Sequence, residues 1–201
     1  MAVTAKQVQE LRKITGVGFL DCRKALDASN GDFDKAVKSL REKGIAKAEK
    51  RASRKTSEGI LELYTHGDGR VGVMVEVNCE TDFVARSEKF RGFAHEIALQ
   101  IAAAAPKWIK EEDIPEGVLS DKREIAQKWA IEEGKPENII ERIVEGRLNK
   151  YKDEVCLMRQ TYIRDDDITI KDLLLQTIAA IGENIVIRRF VRWEVGESNE
   201  T

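Results

Sequence analysis

Histidine is the side chain most ready for acid–base work near neutral pH, and this chain has two, His66 and His95. Neither sits in a pattern that supplies a partner: GxSxG, HExxH and a Walker-type loop are all missing from the sequence. The segment from Gly67 to Gly72, GDGRVG, matches GxGxxG letter by letter. A dinucleotide site needs a helix opening behind the glycines, whose N-terminus takes the pyrophosphate. Here an alternating apolar run follows, and Asp68-Gly69 is a hairpin-turn signal. Asp165-Asp166-Asp167 offers three carboxylates without the spacing of a calcium loop, and reads as a turn and helix start. Cys22, Cys79 and Cys156 are odd in number, far apart and without CxxC spacing. They fit reduced thiols packed as small hydrophobes, not a disulfide framework or a zinc site. No catalytic residue, metal ligand or cofactor is therefore expected, and the chain reads as a non-enzyme.

What remains is recognition. After the alternating run VEVNC comes Thr81-Asp82-Phe83-Val84, at the point where a strand must give way to a helix. Turns favour Gly, Asn, Asp and Ser, so an aromatic ring there asks for a reason. Two readings stand side by side. Phe83 tucks under the following helix as a staple while Asp82 caps that helix, or Phe83 projects as an apolar wedge beside a carboxylate, an anchor for a partner.

The elements around this junction are legible from caps and periods. Thr4 and Gln7 have capping-box spacing, Val8, Leu11 and Ile14 recur at helical intervals, and Gly16 is placed to stop that helix. A second helix is expected from Leu20 to Ala28, and a third from Asp32 to Gly44 with Phe33, Ala36, Val37 and Leu40 on one face. This gives an N-terminal three-helix (UBA-like) bundle over residues 1–45. A basic linker follows over 46–57, helical at its start and mobile toward Ser57. An α+β core is expected over 58–196: strand GILELY, turn HGDG and strand VGVMVEVNC, the last with Val71, Val73, Val75, Val77 and Cys79 on one face. Phe90, Phe93, Ala94, Ile97 and Ile101 line a helix closed by Pro106. Helices are expected from about Asp121 to Glu132, and from Pro136, as first helical residue, with Ile139, Ile140, Ile143, Val144 and Leu148 apolar. The chain is then irregular through Tyr162. Thr169 opens a helix ended by Gly182, and ENIVIRRFVRWEV closes a three-stranded antiparallel sheet packed with helices. The doubled Arg188-Arg189 disturbs the alternation of that last strand. Residues 197–201 are expected to be a disordered tail.

Composition bounds the function. With 201 residues, 42% of them hydrophobic, the chain can bury a real core in one domain or two small ones. Through Lys55 it holds 14 Lys+Arg against seven Asp+Glu, and beyond it 20 against 29, which together give the net −2. A basic N-terminal module thus precedes an acidic body. The basic run from Lys43 to Lys55 lacks an aromatic for base stacking, so direct nucleic-acid binding is not expected, though an RNA-binding module stays a rival reading. A helical bundle that binds a ubiquitin-like partner by itself is another. No run is long enough to span a bilayer and MAVTAKQVQE has no apolar signal core, which points to the cytoplasm and no membrane partner.

Four stretches in order, ELRKITGVGFLDCRKAL, NGDFDKAV, TDFVA after VEVNCE, and IGENIVIRRF, resemble translation elongation factor Ts over nearly the whole chain. The resemblance implies a guanine nucleotide exchange factor that binds elongation factor Tu in its GDP-bound and nucleotide-free forms and speeds GDP release. It implies that Thr81, Asp82, Phe83 and Val84 form the exchange element, the phenylalanine entering between helices of the partner's nucleotide domain and disturbing its magnesium and phosphate site. It also implies that Leu11, Val17, Gly18, Phe19 and Leu20 form an N-terminal contact to the same domain. Longer family members repeat the core subdomain and insert a helical protrusion; this chain resembles the short form, which implies a homodimer. The stretch 107–133 acquires no role from the resemblance.

Overall fold

The computed structural model describes residues 3–197, so the expected tail lies outside the described residues except for Glu197. The chain is α+β. It begins with α1 (Ala5–Thr15), α2 (Phe19–Ala28) and α3 (Phe33–Glu49). Strands β1 (Glu58–His66) and β2 (Val71–Cys79) are followed by a one-turn helix α4 (Asp82–Ala85) and by α5 (Glu88–Ala104). Next come α6 (Glu116–Glu132), α7 (Glu137–Val155), the short strands β3 (Thr161–Tyr162) and β4 (Asp165–Thr169), α8 (Ile170–Ile181) and β5 (Ile185–Glu194). The main sheet has the order β1-β2-β5 and is antiparallel and packed with helices; β3 and β4 pair separately.

By density of contacts the described chain divides into two compact units. The first holds the residues up to Glu62, Val75–His95 and Asp172–Arg188; the second holds Leu63–Met74, Glu96–Lys171 and the residues from Arg189 on.

Within the first unit, local chemistry sets the helix ends. The Thr4 hydroxyl accepts from the Gln7 N–H and the Gln7 side chain accepts from the Thr4 N–H, which completes the predicted capping box. Gly16 ends α1 at φ 65°, a left-handed geometry that a side chain would resist, and its N–H returns to the Arg12 carbonyl. Asp32 caps α3 through the Lys35 N–H. Val8, Leu11, Cys22, Ala25, Leu26, Ala36 and Leu40 form the core of these three helices.

Two expectations for the N-terminal helices change. Helix α2 opens at Phe19 instead of Leu20. Gly44 does not end α3, which continues to Glu49. A Cβ at Gly44 would stand 3.0 Å from the Ala179 Cβ, so the glycine marks a close helix approach and not a stop.

In the β1–β2 turn the predicted hairpin forms. Asp68 and Gly69 both have positive φ, as a type I′ turn requires, and the Arg70 N–H donates to the Gly67 carbonyl at 3.1 Å. All five alternating residues of β2, Val71 through Cys79, are buried. In β5 the burial phase shifts at Arg188-Arg189: Ile185 and Ile187 are buried, and then Phe190 and Arg192 turn inward.

The second unit holds the α6–α7 hairpin, with Ala126, Val144 and Leu148 in its own core. Helix α6 starts at Glu116, earlier than expected, and Pro136 takes the N-cap position of α7, not the first helical one. The stretch read as irregular through Tyr162 holds the end of α7, a 3-10 turn at Leu157–Arg159 and the two residues of β3. Asp165 through Asp167 lie in β4.

Candidate functional site

The candidate site is built where β2 ends. Thr81 leaves the strand with extended backbone (φ −128°, ψ 155°) and becomes the N-cap of α4, its hydroxyl accepting from the Val84 N–H at 3.4 Å. One turn of helix has no stability by itself, so the surroundings must supply it. Ala85 is the buried anchor of the turn. The Ser87 hydroxyl closes it by donating to the Val84 carbonyl at 2.8 Å, and then accepts from the Phe90 N–H at 3.3 Å to start α5. The cap roles therefore fall to Thr81 and Ser87. Asp82, expected to cap the following helix, instead pairs across the surface with Arg86 at 3.0 Å; such an exposed pair adds little stability.

The staple reading of Phe83 is overturned: the ring is 82% exposed. Burying a phenylalanine is worth roughly 1.5–3 kcal/mol, and this fold leaves that free energy unused. At the end of β2, Cys79 is buried and its thiol donates to the Thr81 carbonyl at 3.2 Å. Burial, with the Glu183 charge adding to it, pushes that thiol up to about 11. Cys79 is thus a neutral hydrogen-bond donor at physiological pH, not a nucleophile.

The second set of predicted residues surrounds the α1–α2 turn. Phe19 and Leu20 are exposed, Leu20 at 71%, and Gly18 is exposed at the N-cap of α2. Val17 packs partly against the helical cluster. Leu11 is wholly buried within that cluster; it supports the turn from beneath and presents nothing to a partner. Ile14 adds an exposed apolar group in the last turn of α1. The turn is held by polar ties: the Thr15 hydroxyl donates to the Leu11 carbonyl at 2.7 Å, and the Cys22 thiol donates to the Val17 carbonyl at 3.4 Å. A Cβ at Gly16 would lie 2.9 Å from Lys89 Nζ and 3.5 Å from the Ala180 Cβ, so this turn abuts the start of α5, the helix into which α4 leads.

Phe83, Phe19 and Leu20 present exposed apolar groups, while Val17 and Gly18 line a cleft of about 280 Å³ together with Asp21, Lys24 and Lys47. The largest cleft among those found, about 560 Å³ and lined by Arg123, Ile131, Ile140 and Val144, belongs to the α6–α7 hairpin and includes none of them. Exposed apolar anchors of this kind suit a protein partner. Among the described residues no helix is long and apolar enough to cross a membrane.

An exposed aromatic at a strand–helix junction is suited to recognition of a partner. Comparison with known proteins gives the family. The model of the family described as elongation factor TS matches residues 20–197. The elongation factor Ts of Caldanaerobacter subterraneus subsp. tengcongensis is 57% identical over 198 residues, covering 98% of this chain and 99% of that relative. Those of Thermoanaerobacter sp. strain X514 and Carboxydothermus hydrogenoformans are 56% and 54% identical, covering 99% and 97% of this chain and 98% and 90% of the relatives. The chain belongs to the elongation factor Ts family, and its role lies in translation elongation.

Proposed function

We propose that this protein is the guanine nucleotide exchange factor of elongation factor Tu, acting in the cytoplasm without covalent chemistry. The observation that carries the reading is the ring of Phe83, held out at 82% exposure by a capped turn of helix. An exchange factor need not touch the nucleotide. It must bind the nucleotide-free partner more tightly than the GDP-bound one, and by reciprocity it then weakens GDP by the same ratio. Thr81 and Val84 shape the turn, Asp82 flanks the ring, and Phe83 enters between helices of the partner's nucleotide domain. The elements that hold magnesium and the phosphates shift in response. Each factor of ten in GDP affinity takes about 1.4 kcal/mol of differential binding, and one well-buried aromatic anchor supplies about 2 kcal/mol or more. Val17, Gly18, Phe19 and Leu20, supported by Leu11, form the second contact, and their exposed apolar groups favour that use. The chain works as a homodimer, for which the sheet offers an uncovered apolar face in the second unit at Leu63, Met74, Val191 and Trp193.

The test is release of a fluorescent GDP from elongation factor Tu. Catalytic amounts of the intact chain accelerate release, and the Phe83→Ala chain, still folded, loses most of the acceleration. No acceleration by the intact chain at any concentration would end the exchange-factor reading.

A further inference from the structure

We propose that Glu183 is the positioning residue of the exchange element, a role that rests on the exchange reading of Phe83. The ring has almost no packing of its own, so its direction is set by the backbone of α4, and that backbone starts from Thr81. Every polar group of Thr81 is held. Its N–H donates to Glu183 Oε2 at 3.1 Å and its hydroxyl donates to Glu183 Oε1 at 2.7 Å, across 102 residues of chain. Its carbonyl accepts from the Cys79 thiol at 3.2 Å and from the Ala85 N–H at 3.2 Å.

The carboxylate does more than tether. A hydroxyl has one proton and two lone pairs. An ionised carboxylate can only accept, so the Thr81 hydroxyl must spend its proton on Glu183, which turns its lone pairs toward the Val84 N–H that they cap. Glu183 thereby fixes the polarity of the cap that holds the helix carrying Phe83.

The same clasp is closed from the other side. The Asn184 N–H donates to Glu80 Oε1 at 2.6 Å, and Arg54 pairs with Glu80 at 3.4 Å. Glu80-Thr81 and Glu183-Asn184 thus exchange carboxylate-to-N–H bonds just past the ends of β2 and β5, where the strand ladder stops. Bonds of this charge-assisted kind are about twice as strong as neutral ones. Buried Asn184 also donates to the carbonyls of Ala52 and Arg54 at 3.3 and 2.9 Å. The clasp therefore includes the chain leaving α3.

A double-mutant cycle on GDP release tests the assignment. Glu183→Ala is expected to lower the exchange rate about tenfold, the effect of losing a charged hydrogen-bond acceptor, and to add nothing in a Phe83→Ala background, because it acts through the ring. Glu183→Gln keeps one acceptor for the two donors and falls between the wild type and Glu183→Ala. It carries the same cycle if Glu183→Ala fails to fold. Independently of any partner, the Thr81 and Val84 amides exchange with deuterium faster in either variant. Wild-type exchange by Glu183→Ala, or losses that multiply across the cycle, would overturn the role. If the intact chain releases no GDP, the exchange reading fails, and the amide exchange alone still decides whether Glu183 orders the turn.

Discussion

Phe83 and Cys79 lie four residues apart and are opposite in character. The ring is outside and unpaid for by the fold, so removing it should cost binding and spare stability. Exposed substitutions away from special features change stability by about 0.5 kcal/mol or less. Phe83→Ala should therefore melt within a degree or two of the wild type while its exchange rate falls at least about tenfold; a large loss of melting temperature would show that the ring packs in the folded protein after all. Cys79 is wholly inside. Its thiol, raised to about 11 by burial first and by Glu183 second, keeps its proton in the native state, so maleimide at pH 8 should label it only after denaturation. The folded state binds that proton more tightly than the unfolded chain does. Cys79 therefore contributes stability that is complete below the ordinary thiol range and is lost as pH rises through about 11. Replacing Cys79 with Ser or Ala and repeating urea melts from pH 8 to pH 11 should flatten that part of the decline.

At the scale of elements, what could be read from the sequence was what the chain decides locally. The Thr4–Gln7 box, the Gly16 stop, the Asp32 cap and the Asp68-Gly69 turn are each set by a few adjacent residues, and each formed as the sequence implied. The alternation of β2 was equally plain, because burial on one face leaves a period of two. The misread elements depend on partners far along the chain. Gly44 looked like a helix end until Ala179 was seen beside it. Two-residue β3 is too short to show any period. Asp82 has a good cap residue's chemistry, but Thr81 caps α4 and Ser87 opens α5, and the bond of Thr81 to Glu183 across 102 residues leaves no local trace. The candidate site was legible as a misplaced aromatic, with a projecting ring as one of its two readings, while its clasp was not. Gly44 offers a direct check. Gly44→Leu puts three carbons more than a Cβ into a contact already at 3.0 Å. Overpacking of this sort costs roughly 1–3 kcal/mol, to be read as a lower urea midpoint at unchanged slope. If Gly44→Leu is neutral, α3 and α8 are not closely packed at this point.

For the whole molecule the question is what covers the sheet. In the second unit Arg192 turns inward, its Nε donating to the Ala102 carbonyl of α5 at 3.3 Å. Its neighbours Val191 and Trp193 therefore face away from the helices, Trp193 at 71% exposure. Met74 alternates with buried Val73 and Val75 on β2, and Leu63 is exposed on β1. These four apolar side chains lie on strands that are neighbours in one sheet. A face of that composition, left in water, forgoes about 25 cal/mol for each Å² it could bury, and contiguous exposed apolar patches mark interaction sites. A second copy offers the same face, and a two-fold axis makes it self-complementary. Sedimentation at micromolar concentration should then give twice the 22.7 kDa of one chain. Trp193→Glu should shift the mass toward a single chain by placing a charge in the apolar face, and the wild type's tryptophan emission should move to the blue as concentration rises. Phe83 lies in the first unit and Trp193 in the second, so the dissociated variant should keep GDP release per chain within about threefold. A wild-type mass of one chain at tens of micromolar would leave the face to another partner. A Trp193→Glu chain that stays dimeric would move the interface elsewhere.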